Sequence, residues 1–496
     1  ARVSTEPDAA AAAAPIASRD AGDRIIRGGA LRSGGYLVST GATAIAFAFL
    51  LRHLGVDAFG RFATVIALVA IATGLAEAGL TTIGQRIYAR AESLAQQREI
   101  LADLAGIRLL VTPIAVALAA LFGVVAGYSS TMVVGILVAG AGGVLTTTAQ
   151  TVSLPLTVAL QLGRVTLIEV VRQLVVVAGV VVLVVAGAGL GAFFYAYLAS
   201  GVVMMALAIV LVPREHVAAP RVRLKRWWPI LTETGPLALS IAINTFYVRM
   251  LIVLASLLVV EHEVGLFATA SRVTEVLIGL PVLMFGTAFP LLAHAGAHDE
   301  ERLAYATQRI AEVGLLVAGL FTVVLVVGAE PIVRVFGGNA FLDAAPVLRV
   351  QALALLGATM TQAWVLCVVA VGAQRSLVWV NAIALASVVG LGLVLIPALH
   401  AEGASIAAAI GEAILAGAVL IALVRARPAM RPSARNVPRV AVAGGLAALL
   451  ALSPLPDGID AVLAAAVFIG VAWVLGAVPA ELAGALLRRD RRPAAT

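Results

Sequence analysis

The chain has little charge for its length. Charged residues make up 12% of its 496 residues, whereas hydrophobic residues make up 61%, and its mean hydropathy is +1.05. A soluble domain has too little interior to bury that much apolar surface. The scarcity of charge therefore excludes a soluble protein and predicts an all-α polytopic membrane protein.

Cysteine is almost missing as well. The single cysteine, Cys367, lies within an apolar run, which excludes a disulfide framework and a thiolate metal site. His294, His298 and Asp299 have metal-ligand spacing but fall in a predicted solvated link. We therefore expect no metal site and no cofactor, apart from a proton or sodium gradient that would drive transport.

Acidic residues are fewer than basic ones, and the net charge is +7. Such a balance in a soluble chain would suggest a nucleic-acid partner. Here the basic residues lie in links between apolar runs, where they set membrane topology. We expect no nucleic-acid partner.

The apolar runs are repeatedly long enough to cross about 30 Å of hydrocarbon. They predict about 14 transmembrane helices in groups of six, six and two. The predicted spans are 33–51, 62–82, 105–127, 131–160, 165–187, 191–212, 230–260, 265–293, 311–329, 346–371, 376–397, 403–424, 439–453 and 459–479.

The grouping predicts seven regions. These are a disordered cytoplasmic tail (1–22), a first lobe (23–212), a basic cytoplasmic link (213–229), a second lobe (230–424), a second basic link (425–438), an extra helix pair (439–479) and a basic cytoplasmic tail (480–496).

The basic residues test this count independently. If the N-terminus is cytoplasmic, the cytoplasmic segments hold 28 of the 34 lysines and arginines, and the outer links hold four. This asymmetry follows the positive-inside rule. We therefore predict that both termini are cytoplasmic.

A weak internal repeat links the two lobes. The segment from Arg52 to Gly84 is echoed 205 residues later, where Gly265, Phe267 and Ala268 repeat the spacing of Gly60, Phe62 and Ala63. Such an echo is typical of duplicated transporter lobes.

Charge is predicted inside the membrane of the second lobe, where the second copy of the repeat carries Arg272 and Glu275 at positions that are apolar in the first copy. Arg249 and Arg272 lie roughly 10–16 Å below the predicted outer boundary at 1.5 Å per residue. Each costs about 2.5–3.5 kcal/mol at a helix centre, so each needs a partner or a wet cavity. Glu275, one helical turn beyond Arg272, either locks two helices by pairing with an arginine or leaves a net positive site for an anionic headgroup.

Three further polar residues have two readings each. Glu77 is either a gating or proton-coupling residue or a helix-end residue that reaches the interface. Asn244 and Tyr247 either line a cavity or join helices.

The predicted outer links are too short for a catalytic domain. Their acidic residues are scattered, singly or in one pair, as Asp57, Glu261, Glu263, Glu330, Asp343 and Asp457. This pattern disfavours a membrane glycosyltransferase or ligase, so we predict that the protein is not an enzyme.

The stretch LLRHLGVDAFGRFATVIALVAIATGLAEAGL resembles the first two spans of Wzx-type polysaccharide flippases. The resemblance rests on a leucine-glycine link, Phe59-Gly60, an apolar span and the close formed by Glu77, Gly79 and Leu80. These flippases belong to the superfamily of multidrug, oligosaccharidyl-lipid and polysaccharide exporters. Twelve spans are usual among them, whereas fourteen are typical of the related lipid II flippases.

The resemblance implies two six-helix lobes around a central cavity and alternating access. Flippases of this group keep cavity arginines on spans one, two and eight. Arg272 matches the position on span eight. Arg52 and Arg61 match the positions on spans one and two, but they lie closer to the membrane surface. The expected function is to move a polyprenyl-(di)phosphate-linked oligosaccharide to the outer leaflet for cell-surface polysaccharide biosynthesis.

The site predicted from the sequence combines substrate-binding residues with coupling or gating residues. Arg272, Arg249, Arg52, Arg61, Asn244 and Tyr247 are the substrate-binding candidates, and Glu275 and Glu77 are the coupling or gating candidates. The expected location is the bacterial inner membrane. The expected partners are the glycolipid, membrane lipid and a glycan polymerase or ligase. A cation-coupled drug exporter of the same superfamily is the alternative.

Overall fold

The computed structural model describes residues 19–77, 79–298, 300–452 and 458–479. All regular secondary structure in these ranges is helical, which confirms the all-α class. The first half contains α1 (Arg19–Glu77), α2 (Leu80–Ala89), α3 (Leu94–Val125), α4 (Ser130–Val152), α5 (Leu154–Val158), α6 (Leu162–Val185) and α7 (Leu190–Leu211). The second half contains α8 (Leu224–Leu258), α9 (Glu261–His298), α10 (Glu300–Val327), α11 (Ala329–Gly337), α12 (Ala344–Ala370), α13 (Ser376–Ala426), α14 (Asn436–Ala448) and α15 (Ile459–Val474).

Two helices each contain two predicted spans. Helix α1 has 59 residues and is broken at Gly55, whose φ of 73° is a conformation that glycine adopts readily. Helix α13 has 51 residues and is broken at His400, whose φ is 51°, three residues after Pro397. These breaks fall in the predicted links between spans one and two and between spans eleven and twelve.

The number of membrane crossings agrees with the prediction. Ten helices in the described ranges are long and apolar enough to cross a membrane, and two shorter apolar helices follow them. Because α1 and α13 each contain two spans, the ten long helices supply twelve crossings. The chain is a multi-pass membrane protein.

Several predicted boundaries differ from the structure. The predicted span 131–160 is not continuous, because α4 ends at Val152 and α5 begins at Leu154. Proline lacks the backbone N–H that a continuous helix requires, which explains the break next to Pro155. The predicted span 62–82 also ends early, at Glu77.

Some helices extend into regions predicted as tail or link. Helix α1 begins at Arg19, inside the predicted tail, and α8 begins at Leu224, inside the first basic link. The predicted tail at 480–496 and most of the tail at 1–22 lie outside the described residues. The division of the chain into seven regions stays a prediction.

The two lobes meet along α1, α8 and α9. Helix α1 packs against α3, α4 and α6 of its own lobe and against α8 and α9 of the second lobe. Helices α14 and α15 pack beside α10 and form a separate small core with it, which includes Val323, Val440 and Phe468.

An ion pair and a hydrogen bond join the lobes at their predicted outer ends. Arg61 lies 3.1 Å from Glu261, and Asp57 lies 2.9 Å from His262. The two lobes are therefore in contact on the predicted outer side.

The link between the lobes is attached to the first lobe at the predicted cytoplasmic end. The backbone N–H of Arg221 donates to the carbonyl oxygen of Ala102 at 3.0 Å. Glu99 pairs with Arg226 at 2.9 Å and with Arg223 at 3.5 Å. The link therefore runs along α3 before α8 begins.

Candidate functional site

A large cavity lies below the contact between the lobes. Its volume is about 900 Å³, and most of its lining residues are polar. Helices α1, α2, α4, α5, α6 and α7 of the first lobe form most of the wall, and α9 of the second lobe supplies Arg272, Glu275 and Val276. The cavity thus reaches from the helix ends predicted to be cytoplasmic to the charged residues predicted to lie within the membrane.

Glu275 joins both intramembrane arginines. One carboxylate oxygen accepts from Arg249 at 2.6 Å, and the other accepts from Arg272 at 2.8 Å. Two guanidinium groups against one carboxylate leave one net positive charge. The sequence predicted that Glu275 pairs with one arginine or the other, and the structure shows that it pairs with both.

Arg272 remains accessible within this cluster. Its side chain is 38% exposed to the cavity, compared with 25% for Arg249. Its other N–H groups have no acceptor among the described residues, and guanidinium donors bind phosphate oxygens in pairs. Arg272 is therefore the arginine best placed to bind an anionic group that enters the cavity.

Aromatic rings pack between the arginine cluster and the outer side. Phe62 stacks on Phe194 at 5.7 Å between ring centroids, and Phe59 lies 5.5 Å from Phe47 in an edge-on arrangement. A small space of about 80 Å³ separates these rings from the cluster. The large cavity therefore lies on the predicted cytoplasmic side of this aromatic packing.

Glu77 forms part of a second charged cluster on the wall of the large cavity. Its carboxylate lies 3.4 Å from the guanidinium of Arg108 and accepts from the hydroxyl of Thr81 at 2.5 Å. Arg108 is 1% exposed and also donates to the carbonyl oxygen of Thr147 and to Gln150. This buried arginine fixes Glu77 at the break between α1 and α2.

Arg108 is not among the site residues predicted from the sequence, because it is counted there with the basic residues of a cytoplasmic segment. Residue 108 lies inside the predicted span 105–127, and α3, which begins at Leu94, buries the side chain of Arg108 within the first lobe. Its contacts with Glu77 of α1, Thr81 of α2 and Thr147 of α4 together make it inaccessible to water.

Asn244 and Tyr247 line a different cavity of about 250 Å³ within the second lobe. Glu412, which is not among the site residues predicted from the sequence, lines this cavity together with Tyr247. No basic side chain pairs with Glu412 within the described ranges. The amide oxygen of Gln351 and the hydroxyl of Thr361 on the same wall are buried without hydrogen-bond partners in that part of the chain.

Arg52 and Arg61 lie outside the large cavity in this conformation. Arg52 is exposed and donates to the carbonyl oxygen of Val335 at 2.7 Å. Arg61 pairs with Glu261 and borders a separate outer recess. Of the six predicted substrate-binding residues, the structure places only Arg249 and Arg272 at the inner end of the aromatic packing.

The candidate metal ligands cannot be compared with the structure. Asp299 and the side chains of His294 and His298 lie outside the described residues. Among the residues that are described, no group of three or more His, Cys, Asp or Glu side chains is arranged to hold a metal ion.

Comparison with known proteins gives one family match. The model of a family described as "Polysaccharide biosynthesis protein" matches residues 25–295. No curated protein sequence matches the chain.

Solved structures with the same fold are distant in sequence. The chain is similar to the lipid II flippase MurJ in an inward closed conformation, with a TM-score of 0.76, 13% identity, and 93% of this chain and 99% of that chain covered. It is also similar to an inward-facing multidrug resistance MATE family transporter of the MOP superfamily, with a TM-score of 0.65, 16% identity and coverage of 81% and 98%. A MOP superfamily transporter from Pyrococcus furiosus, titled for the reverse polarity of its binding pocket, matches with a TM-score of 0.57, 17% identity and coverage of 82% and 95%.

Proposed function

Since the chain belongs to the polysaccharide biosynthesis protein family, we propose that it is a flippase for a polyprenyl-diphosphate-linked oligosaccharide. It would move the lipid from the inner to the outer leaflet by alternating access. The family match agrees with the resemblance to polysaccharide flippases that the sequence predicts.

The Arg249–Glu275–Arg272 cluster carries the proposal. It leaves one net positive charge and accessible guanidinium donors at the end of a cavity of about 900 Å³. A diphosphate that leaves water needs such a partner, because charge pairing is stronger in a partly dehydrated cavity than in water. The planar guanidinium also adds directional hydrogen bonds.

The same cluster disfavours the drug-exporter alternative. The fold is shared with a multidrug resistance transporter. A cationic drug, however, would be repelled by two arginines that face a single carboxylate.

Glycosyl transfer is disfavoured by the outer carboxylates. Asp57 pairs with His262, Glu261 with Arg61 and Glu330 with Arg349. The carboxylate of Glu263 accepts from the backbone N–H of Ala401 at 3.0 Å. These groups are engaged in holding the fold together, which supports transport over catalysis.

We place the protein in the bacterial inner membrane, with both termini in the cytoplasm. The distribution of arginine supports this orientation. A glycan polymerase or ligase on the outer side would receive the flipped lipid.

Ion coupling needs a carboxylate that gains and loses a cation during the cycle. Glu275 and Glu77 are the residues that the sequence suggests, but both pair with arginine in this conformation. Glu412 has no such counterion within the described ranges and is the better candidate for proton or sodium exchange. Flipping that depends on a pH or sodium gradient in the native protein, but not in Glu412→Gln, would support this assignment.

The proposed function is tested by flipping in liposomes. The probe is a polyprenyl diphosphate that carries a disaccharide with a fluorophore on the sugar, and a membrane-impermeant quencher reports the leaflet. Arg272→Ala should abolish flipping, and Arg272→Lys should restore it in part, because lysine keeps the charge but loses the paired donors.

Arg309→Ala is the matched control. Arg309 donates to Glu312 three residues along its helix at 2.8 Å, the same geometry as the pair between Arg272 and Glu275, but it lies outside the large cavity. Normal flipping by Arg272→Ala would exclude the proposed role of the cluster.

A further inference from the structure

The first-lobe wall of the large cavity carries polar side chains that bind nothing in the protein. Thr40 on α1, Gln85 on α2, Thr157 on α5 and Thr166 on α6 all line the cavity. None of the four side chains has a hydrogen-bond partner among the residues that the structure describes. Four separate helices therefore direct unused hydroxyl and amide groups into one space.

Neighbouring polar side chains on the same wall are held by one another. Gln173 donates to Thr43 at 2.7 Å, and Gln150 accepts from Arg108 at 3.2 Å. These bonds order the wall around the unpartnered groups, which limits the side-chain entropy that a ligand must remove when it binds.

The wall contributes no net charge. Glu77 is paired with Arg108, and Glu169 is paired with Arg172 at 2.5 Å. Among the described residues around the cavity, the excess charge is that of the Arg249–Glu275–Arg272 cluster on the second lobe. The two sides of the cavity therefore suit different chemical groups.

We propose that the first-lobe wall binds an uncharged, hydroxyl-rich saccharide, while the arginine cluster holds the diphosphate that carries it. This inference rests on the proposed function and adds the class of headgroup to it. Small-molecule sites of about 300–1,000 Å³ are usually lined mainly by apolar side chains. Here most of the lining residues carry a hydroxyl, amide or carboxylate group, and hydroxyl and amide groups match a ligand whose surface consists of hydroxyl groups, each of which donates and accepts.

The experiment measures binding to the full-length protein in detergent with three fluorescent probes. One is polyprenyl diphosphate without sugar, the second carries a neutral glucose disaccharide, and the third carries a disaccharide of glucuronate. We expect the neutral probe to bind at least tenfold more tightly than either of the other two.

The variant is the triple substitution Thr40→Val, Thr157→Val and Thr166→Val, which removes three hydroxyls and keeps the branched shape. Net hydrogen bonds of about 0.5–1.5 kcal/mol each predict a loss of roughly ten- to a hundredfold or more in affinity for the neutral probe. Affinity for the sugar-free probe should not change, and this measurement also shows that the variant is folded. Thr112→Val is the matched control, because Thr112 is buried, has no hydrogen-bond partner within the described ranges and lies outside the cavity.

The outcomes separate this inference from the proposed function. Equal affinity of the native protein for the sugar-free and neutral probes would overturn the saccharide wall, and so would a triple variant that keeps the neutral preference. Undiminished binding of the sugar-free probe by Arg272→Ala would instead overturn the proposed role of the cluster.

Discussion

Gly60 and Gly265, which occupy equivalent positions 205 residues apart, each lie against the backbone of the other lobe. A Cβ atom at Gly60 would lie within 3 Å of the carbonyl oxygen of Glu261, and one at Gly265 would lie equally close to that of Val56. Val56 and Glu261 are themselves 205 residues apart, and so are Asp57 and His262, which are hydrogen-bonded to each other. The two copies of the repeat therefore close the outer side as a nearly symmetric pair.

This contact predicts the effect of a single methyl group. Gly60→Ala should weaken the outer closure, because overpacking costs about 1–3 kcal/mol. A change of that size shifts a two-state equilibrium by about 5–150-fold. Spin labels at Val125 and Val260, which are exposed on the first and second lobes, should then show a longer distance than in the native protein.

Gly417→Ala is the control for this prediction. Gly417 lies in α13, and a Cβ atom there meets nothing within 4 Å. Unchanged distance distributions in Gly60→Ala would show that the glycine contact does not hold the outer side closed.

Glu275→Gln should lower the stability of the protein without weakening its binding of polyprenyl diphosphate. The substitution leaves Arg249 and Arg272 without a counterion. Breaking a buried ion pair costs about 3–5 kcal/mol of stability. This is an upper value for Glu275→Gln, because the cavity hydrates Arg272. The melting temperature should therefore fall. Affinity for polyprenyl diphosphate should hold or increase, because the competing carboxylate is gone.

A purely structural role for the bridge makes a different prediction. In that case Glu275→Gln would lower stability with no gain in affinity for polyprenyl diphosphate. Arg272→Ala, inactive only because it unfolds, would then recover flipping when it is combined with Glu275→Gln.

Glu77 and Arg108 should respond unequally to substitution. Glu77→Gln leaves a guanidinium that is 1% exposed without its carboxylate, whereas Arg108→Met leaves a carboxylate that faces the hydrated cavity. We expect Glu77→Gln to lower the unfolding temperature more than Arg108→Met, because an uncompensated buried charge is the more costly. Equal losses, with flipping intact in both variants, would argue against this asymmetry and against a gating role for Glu77.

The proposed orientation predicts the location of two reporters. An enzyme reporter fused after Arg435 should be active in the cytoplasm, and one inserted between Gly337 and Asn339 should be active outside. The second site follows α11, which packs against α1. Because the two sites are predicted to lie on opposite sides of the membrane, the two reporters together test the span count. The reverse pattern would contradict the orientation and would place the large cavity on the outer side.

Much of the architecture followed from the sequence because membrane spans obey a simple constraint. Hydrocarbon offers no hydrogen bonds to the backbone, so a long apolar run must be helical. Arginine in the links then restricts the topology. The breaks at Gly55 and His400 fall in predicted links because a turn between spans needs residues outside the helical conformation.

The composition of the site depended on contacts that no local pattern records. The sequence placed Arg272 and Glu275 on one helical face, since residues three apart on a helix are neighbours. Arg249 reaches Glu275 from another helix, and only the packing of α8 against α9 decides that distance. The same holds for Arg108, whose burial depends on how α3 packs against α1, α2 and α4.

The sequence by itself determined the class of protein, the span count and the presence of charge within the membrane, because each depends on composition and local spacing. Tertiary structure decided that Arg52 and Arg61 lie outside the large cavity, on the predicted outer side, whereas Arg249 and Arg272 meet one carboxylate beside the cavity. The physical reason is that the position of a charge along a helix follows from spacing, but its partner follows from how the lobes pack.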